Sequence, residues 1–508
     1  MIDGLLMLGG GLAHFMTPLS LFNIAWATLL GIVIGALPGL TATMGVALLV
    51  TLTYKMAPDQ AILCLMCLYS GAIYGGSRTA ILLSIPGTPA SAATTLDGHP
   101  LALQGKAGTA MGLATTSSAL GTMVGIIALA LIAPLLAEAA LKFGSYEFFW
   151  LALFGVIISG QLTAIDDPLK GYIAGILGLL VAMVGMETLH AYQRFTFGIP
   201  ALGGGVDLIP AMVGAFGFAE ILGVMKRKAQ ARIVTSGDRV IPRFRDVFAY
   251  KWTTLRSGLI GTFVGIVPGV GEDVGAWASY AAAKRTSKEA HLFGKGSQEG
   301  LIAAETGNSA VVPGAMIPTL TLALPGSASA AVLIAAMYIH GIRPGPLLMT
   351  ENPEFLYQIV AILVFSTVAF TIFGLFLTKP LMTVLQVPRE RLMAVVYVLC
   401  VVGSFAITQR LFDVYVMLFF GIVGFLLREM KYPMAPLVLG IILGDLLDLN
   451  LRRGLALTNG DPTPFFTRPI SAVIWLIIVL TILMSIPPVN RFVRDLFTRN
   501  RGHASAKG

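Results

Sequence analysis

The sequence has 508 residues, of which 56% are hydrophobic and only 12% are charged. A soluble domain carries about a quarter charged residues, so this composition excludes a water-soluble globule. The formal net charge is +8, and the basic residues concentrate in one mid-chain segment and in the C-terminal tail. Basic residues beside apolar segments mark the cytoplasmic side of a membrane. Nucleic-acid binding is not expected of so hydrophobic a chain.

Uncharged apolar runs predict membrane-spanning helices. Residues 359–378 and 470–489 contain no charged side chain. Each run has about the 20 residues that cross a hydrocarbon core as a helix. Backbone groups in lipid need internal hydrogen bonds, which a helix provides. The runs do not alternate apolar and polar residues as barrel strands do. The predicted fold class is therefore an all-α polytopic membrane protein.

The first element, residues 1–15, is apolar and glycine-rich and lacks the positive region of a secretory signal peptide. The apolar segments that follow predict about 12 transmembrane helices plus re-entrant or broken helices. Cys64 and Cys67 form a CxxC within one segment, and we interpret them as helix-packing residues rather than a redox or metal site. The segments are 21–54, 60–85, 107–134, 148–161, 171–185, 209–225, 253–283, 301–324, 328–339, 357–377, 393–407, 414–427, 434–449 and 472–485.

The two halves of the chain share an ordered set of glycine and proline motifs. One Pro-Gly pair repeated by chance would mean little, whereas four matches in the same order predict two structural repeats. The matches pair 31–39 with 261–269, Pro86-Gly87-Thr88 with Pro325-Gly326-Ser327, 98–101 with 341–344, and 210–214 with 436–440, at offsets of 230, 239, 243 and 226 residues.

Charge predicts how the repeats are oriented. The first half begins without positive residues and ends at a basic segment, which favours an outside start and an inside end. The second half then begins inside, as an inverted repeat. Positive residues flank 253–283 on both sides, so this segment and its counterpart 21–54 are either re-entrant hairpins or crossings. The predicted domains are a first repeat (1–225), a basic cytoplasmic linker (226–252), a second repeat (253–450), and a final transmembrane helix with a basic tail (451–508).

The Pro-Gly breaks are the candidate functional features. Proline removes a backbone donor, and glycine adopts angles closed to other residues, so together they open a helix. In the bilayer, the freed backbone groups are tolerated only inside protein or beside a watery cavity. Paired interruptions in two halves point to a transporter's binding site, where half-helix N-termini favour anions and unwound carbonyls coordinate small cations. The alternative is that these glycines and prolines only shape helix packing.

Polar residues accompany each break, and they define the predicted sites. Buried ionisable residues in membrane segments are costly and are functional candidates, which draws attention to Asp273 and Glu305. The alternative for both acids is a position at the mouth of a loop, where a charge has no functional role. Arg78 either pairs with a carboxylate or extends to the membrane interface. The predicted substrate site comprises Ser84, Pro86, Gly87, Thr88, Asn308, Ser309, Pro325, Gly326 and Ser327. The predicted cation site comprises Pro38, Gly39, Thr41, Thr43, Pro268, Gly269 and Asp273.

These motifs resemble the large membrane subunit of tripartite tricarboxylate transporters over nearly the whole chain. The sequence departs from the usual family pattern at Asn308-Ser309, where many members have two asparagines, and at Gly307, Pro313 and Arg78. In the first half the resemblance rests on Gly31 to Gly39, Tyr74-Gly75-Gly76-Ser77, Ile85-Pro86-Gly87-Thr88-Pro89 and Asp97-Gly98. In the second half it rests on Gly261 to Gly271, Phe293-Gly294-Lys295-Gly296-Ser297-x-Glu299-Gly300, Glu305 and Asn308, Ile317-Pro318-Thr319-Leu320, Pro325-Gly326-Ser327 and Gly341-Ile342-Arg343-Pro344-Gly345-Pro346.

The resemblance implies a multi-pass permease of the bacterial inner membrane. It implies two protein partners, a small membrane subunit and a periplasmic solute-binding protein that delivers the carboxylate. It also implies symport with a coupling cation, commonly sodium, and no other cofactor. The sequence has no Gly-x-x-x-x-Gly-Lys-Ser/Thr loop for ATP.

Two other functions are weighed against carboxylate uptake. A passive anion channel would carry current without a binding protein, but the sequence contains nothing that resembles a repeated selectivity filter. An intramembrane enzyme would use acids such as Asp445 or Asp166-Asp167, but no partner motif of the His-Glu-x-x-His or Gly-x-Ser-x-Gly type accompanies them. The sequence therefore predicts a transporter and not an enzyme.

Overall fold

The computed structural model describes residues 2–37, 40–164, 167–187, 191–226, 238–378 and 389–485. Within these residues, eight helical segments are long and apolar enough to cross a membrane, and five further apolar helices are shorter. The prediction of an all-α polytopic membrane protein is thereby confirmed. The number of crossings, about 12 on the sequence pattern, stays a prediction.

The helices follow one another with short connections, and several begin with a proline at the first turn, where its missing N–H costs nothing. The first half contains α1 (Ile2–His14), α2 (Pro18–Ala36), α3 (Ala42–Thr53), α4 (Pro58–Leu83), α5 (Ala92–Leu101), α6 (Ala107–Ala140), α7 (Ser145–Thr163), α8 (Pro168–Ala182), β1 (Gly185–Met186), β2 (Gln193–Arg194), α9 (Leu208–Met212) and α10 (Ala219–Lys226). The second half contains α11 (Phe244–Phe248), α12 (Lys251–Ile266), α13 (Gly271–Thr286), α14 (Gln298–Leu322), α15 (Ala328–Ile339), α16 (Pro346–Glu351), α17 (Glu354–Phe376), α18 (Arg389–Thr408), α19 (Leu411–Glu429), α20 (Met434–Leu457), α21 (Pro464–Thr467) and α22 (Pro469–Ser485).

The chain forms two compact units. Unit 1 comprises Met1–Lys142 and Val206–Met430, and unit 2 comprises Phe143–Gly205 and Lys431–Gly508. Each unit therefore draws on both sequence halves. The predicted boundaries of the repeats and of the basic linker stay predictions, and residues 227–237 of that linker lie outside the described residues.

Unit 1 is built around two helix pairs that use the same glycine contacts. Helix α2 packs on α4, and α12 packs on α14. In each pair, two glycines of the first helix press against backbone carbonyls of the second, because a hydrogen in place of a side chain lets the two backbones approach closely. The contacts join Gly31 to Leu68, Gly35 to Ala72, Gly261 to Gly307 and Gly265 to Val311. The first two contacts recur in the second pair at the offsets of 230 and 239 residues read from the sequence.

The segment 253–283 folds back on itself at its Pro-Gly break. Helices α12 and α13 run antiparallel, since Ser279 Oγ donates to the Ser257 carbonyl at 3.3 Å and Arg256 Nη1 donates to Thr286 Oγ1. The turn between them contains Gly269 and Gly271, both at positive φ (75° and 78°). Glycine adopts this left-handed region without the steric cost that other residues meet. The two ends of the segment consequently lie together, as a re-entrant hairpin requires.

Unit 2 contains α7, α8, α20, α21, α22 and the ribbon β1–β2. Helix α20 packs on α7 and α8. Ion pairs anchor the ribbon and the C-terminal helix, with Arg194 Nη2 3.1 Å from Asp448 Oδ2 and Arg468 Nε 3.0 Å from the buried Glu147. The Ser471 hydroxyl also donates to Glu147, at 2.8 Å.

The motifs at 210–214 and 436–440, which the sequence places at the two half-ends, lie in different units. The helical stretch that begins with α9 packs on α19 within unit 1, whereas α20 packs on α7 and α8 within unit 2. Each half-end helix therefore packs on helices of the opposite sequence half. Such an exchange ties each unit to both halves of the chain.

Candidate functional site

The second break of each half is built in the same way in unit 1. Ser84 forms the C-cap at the end of α4 and Ala323 forms the C-cap at the end of α14, and both residues are left-handed, with φ of 55° and 56°. Their N–H groups donate to the carbonyls of Thr79 and Pro318, each five residues upstream, which closes the helix end. The extended residues Thr88 and Ser327 follow four residues after these ends, and each stands at the N-cap of the next helical turn.

Gly87 and Gly326 let these loops lie directly on neighbouring backbone. A Cβ at Gly87 would collide with the Gly35 carbonyl, and a Cβ at Gly326 would collide with the Gly265 carbonyl. Gly326 also stands where a Cβ would be 2.6 Å from Ala315 Cα. In the second half the two breaks are hydrogen-bonded, since the Gly269 N–H donates to the Pro325 carbonyl at 2.9 Å. The two Pro-Gly breaks of the second half are therefore in direct contact.

Each half's second loop also packs against helices of the other half. The Tyr69 hydroxyl of α4 donates to Glu272 of α13 and lies 2.9 Å from Ser327 Oγ. Thr43 Oγ1 of α3 lies 3.0 Å from Ser329 Oγ of α15. In return, the 3₁₀ turn Pro89–Ser91 packs on α13 and α14. Residues of the two halves consequently contact each other at several points inside unit 1.

Unit 1 also contains buried polar atoms without hydrogen-bond partners among the described residues. Asn308 has both amide atoms unpaired, and the hydroxyls of Thr88, Ser309 and Ser70 are also unpaired. Exposure of these four side chains ranges from 0 to 4%. A buried polar group without a partner costs about 1–3 kcal/mol, so such atoms suit a ligand that supplies the missing hydrogen bonds.

The predicted substrate residues do not all share this environment. Gly87, Thr88, Asn308, Ser309, Pro325, Gly326 and Ser327 are buried, Pro86 is half-buried and Ser84 is exposed. The structure therefore buries the residues after each proline and the α14 pair within unit 1, and it leaves Ser84 exposed at the end of α4. Substrate binding by these residues stays a prediction.

Five of the seven predicted cation residues lie within the described part of the chain. Pro38 and Gly39 lie outside the described residues. Thr41 caps α3 by accepting from the Met44 N–H at 3.2 Å, and Thr43 contacts Ser329. Pro268 and Gly269 are buried, and Asp273 is half-buried in the first turn of α13. The oxygens of Thr41, Thr43 and Asp273 have the chemistry that sodium prefers, and this assignment also stays a prediction.

Sequence reasoning missed Tyr69, which bridges the two halves. It stands 239 residues before Asn308, so the repeat offset pairs the two residues. Because Asn308 is a predicted substrate residue, this correspondence is a sequence signal that points to Tyr69. Sequence reasoning also missed the role of Asp97. This residue is 1% exposed, and its Oδ1 accepts from the backbone N–H groups of Gly294, Gly296 and Ser297 at 2.8–2.9 Å.

Tyr69→Phe is expected to destabilise the protein by about 1–3 kcal/mol, because it leaves the buried carboxyl group of Glu272 without its hydrogen-bond donor inside unit 1. Ser70→Ala is the matched control, since it deletes a neighbouring buried hydroxyl that has no hydrogen-bond partner in the described part of the chain, and it should be neutral or stabilising. Thermal unfolding of the two variants in detergent measures the difference. Equal melting temperatures for both variants would contradict the bridging role of Tyr69.

Comparison with known proteins identifies the family of the chain. Residues 21–439 match the family described as the tripartite tricarboxylate transporter TctA family. An uncharacterised 52.8 kDa protein from the TAR-I ttuC′ 3′ region of Agrobacterium vitis is 34% identical over 487 residues, covering 95% of this chain and 96% of the relative. An uncharacterised protein from the TAR-II ttuC′ 3′ region of the same organism is 32% identical over 235 residues, covering 46% of this chain and 97% of the relative. The chain belongs to the tripartite tricarboxylate transporter TctA family, as the large membrane subunit that its motifs resemble.

Proposed function

We propose that the chain is the permease that carries tricarboxylates or related carboxylates across the bacterial inner membrane by cation-coupled, secondary active transport. The observation that carries this proposal is the burial, within unit 1, of Thr88 after the first-half Pro-Gly break and of Asn308 and Ser309 on α14. Their hydroxyl and amide groups find no hydrogen-bond partner among the described residues. Such groups are costly unless they serve a ligand, and a carboxylate accepts hydrogen bonds from both kinds.

The two halves act as an inverted repeat in this proposal. The matched glycine contacts and the matched left-handed helix ends support the repeat. Charge supports the inversion, since the first half starts without positive residues and ends at the basic linker. Alternating access then follows if the loop contacts of one half open while those of the other close. The Tyr69–Ser327 contact is one that must change in such a cycle.

A coupling cation, sodium in this proposal, binds among the oxygens near Thr41, Thr43 and Asp273. An anion that enters a low-dielectric site costs less when a cation enters with it. The proposed partners are a small membrane subunit and a periplasmic solute-binding protein. They are consistent with membership of a tripartite transporter family. The binding protein is expected to set much of the choice among carboxylates.

Reconstitution tests the function directly. The chain is placed in liposomes with its small-subunit and binding-protein partners, and uptake of citrate and succinate is followed under imposed sodium or proton gradients. We expect accumulation above the external concentration that collapses when the gradient is dissipated. Uptake that ignores both gradients would contradict the coupling. Unsaturable flux without the binding protein would instead indicate a passive anion channel.

A further inference from the structure

Arg78 is a cation in the interior of unit 1. It lies on α4 and is 2% exposed, so its side chain does not extend to the membrane interface. A buried charge of this kind is expensive and is a functional candidate unless a counter-charge and hydrogen bonds satisfy it. The position 239 residues later in the second half is Ile317. The repeat therefore supplies no matching cation there, and Arg78 adds a charge that the repeat itself does not require.

One edge of the Arg78 guanidinium is held in place. Its Nη2 donates to Thr115 Oγ1 at 2.6 Å, and its carbon lies 4.6 Å from the centre of the Tyr74 ring. Tyr74 is fixed in turn by stacking on Phe370 at 4.8 Å and by a hydrogen bond of 2.9 Å to Thr115. These contacts position the group rigidly, so little rotamer freedom is left to lose when a ligand binds.

The other edges of the guanidinium are unsatisfied. Nε and Nη1 find no hydrogen-bond acceptor among the described residues. A guanidinium carries five N–H donors, and Thr115 accepts from only one nitrogen. Buried donors without acceptors are rare in folded proteins. The group that best satisfies several guanidinium donors at once is a carboxylate or phosphate, bound through two N–H groups.

A carboxylate of the protein lies in the same polar cluster but is committed to other partners. Glu305 of α14 is fully buried and interacts electrostatically with Arg78. Its two oxygens accept from Thr94 of α5 and, at 2.9 Å, from Ser118 of α6. Ser309 lies four residues further along α14, on the same helix face as Glu305, and its hydroxyl is unpaired. The cluster therefore contains residues of α4, α5, α6 and α14. It includes the Nε and Nη1 donors of Arg78, which have no acceptor among the described residues, and the predicted substrate residue Ser309.

We propose that Arg78 binds one carboxylate group of the transported anion through its unpaired Nε and Nη1 donors. This inference rests on the proposed function and assigns the residue that reads the charge of the substrate. When Glu305 is ionised, its charge balances that of Arg78, so a bound carboxylate then leaves one net negative charge in a low-dielectric interior. A cation that enters with each such carboxylate restores neutrality, which gives a physical reason for symport.

The test measures citrate and succinate binding to the purified large and small subunits and uptake by the reconstituted complex. Arg78→Gln should raise the dissociation constant and KM for citrate at least tenfold, as loss of a charge-assisted hydrogen bond predicts. Arg78→Lys should recover part of the affinity, because it keeps the charge without the planar donors. Glu305→Gln should leave citrate affinity unchanged or tighter, because it removes a competing negative charge.

Two controls separate binding from folding. The double variant Arg78→Met with Glu305→Gln removes both charges, so its melting temperature should match the unaltered protein, while its citrate affinity should still fall at least tenfold. Arg245 is an exposed residue of α11, so Arg245→Gln should change neither the melting temperature nor the citrate affinity. Unchanged citrate affinity in the folded double variant would overturn the assignment of Arg78. Equal loss of citrate affinity in Glu305→Gln and Arg78→Gln would also overturn the assignment, because equal losses indicate that the two residues form a structural ion pair. Absence of carboxylate uptake by the unaltered complex would instead overturn the proposed function.

Discussion

Replacing Gly35 with leucine is expected to eliminate the folded protein. A Cβ at this position would overlap the Ala72 carbonyl and stand 2.7 Å from the carbonyl carbon. Overpacking a core usually costs about 1–3 kcal/mol, but here the obstacle is the backbone of α4, which cannot move aside as a side chain can. The contact also supports the Pro-Gly loop, since a Cβ at Gly87 would meet the Gly35 carbonyl.

The second half offers an independent version of the same experiment. A Cβ at Gly265 would stand 2.7 Å from the Val311 carbonyl oxygen and 2.8 Å from the Ala315 nitrogen. Gly265→Leu should therefore also abolish folding, and Gly265→Ala should lower the melting temperature strongly. Gly10→Leu in α1 is the control, because nothing lies within 4 Å of its Cβ and leucine favours a helix. Monodisperse elution in detergent reports folding. Normal elution of Gly35→Leu would show that α2 and α4 do not pack as described.

Asp97→Ala is expected to destabilise the protein by about 5 kcal/mol or more, which approaches the whole stability of many domains. The Asp97 carboxylate accepts three backbone N–H groups from the loop before α14 and the Tyr280 hydroxyl at 2.9 Å. Its removal leaves four donors without this acceptor in a buried place. Two of the loop residues, Gly294 and Gly296, have positive φ, so the loop depends on these bonds to keep its shape.

Asp97→Asn should retain part of the stability, because its amide oxygen still accepts hydrogen bonds while the charge is lost. Asp461→Ala is the matched control, since Asp461 is an exposed acid whose carboxylate accepts from the N–H and hydroxyl groups of Thr463, two residues away. That variant should lie within about 1 kcal/mol of the unaltered protein. Intrinsic tryptophan fluorescence during thermal unfolding measures the melting temperatures of Asp97→Ala, Asp97→Asn and Asp461→Ala. A melting temperature for Asp97→Ala equal to that of Asp461→Ala would contradict the structural role of Asp97.

Several features were predictable because they depend on local chemistry. Long uncharged runs predict helices in a membrane, since lipid leaves the backbone no other partner. The Pro-Gly motifs predict where helices break, and the structure has those breaks after Leu83, Ile266 and Leu322. The repeat offsets also predict which glycines have equivalent neighbours, as the pairs around Gly31 and Gly261 illustrate. Family membership follows from the same motifs.

Long-range geometry was not readable, since it depends on which helix faces meet. The sequence left 253–283 as either a hairpin or a crossing, and only the antiparallel contact of Ser279 with Ser257 decided for the hairpin. The sequence also left Arg78 either paired with a carboxylate or extended to the membrane interface, and only the burial of its side chain excluded the second alternative. Tyr69 and Glu272 are 203 residues apart, and no local pattern joins them.

The sequence by itself thus determined that this chain is an all-α membrane protein of a tricarboxylate transporter family, with paired breaks at defined prolines and glycines. These properties follow from composition and backbone chemistry, which act over a few residues. The tertiary structure alone decided which polar groups share a buried environment, including Asn308, Ser309, Arg78 and Glu305. Hydrogen-bond satisfaction is a property of neighbours in space, so the unpaired donors that suggest a carboxylate site appear only once the helices are packed.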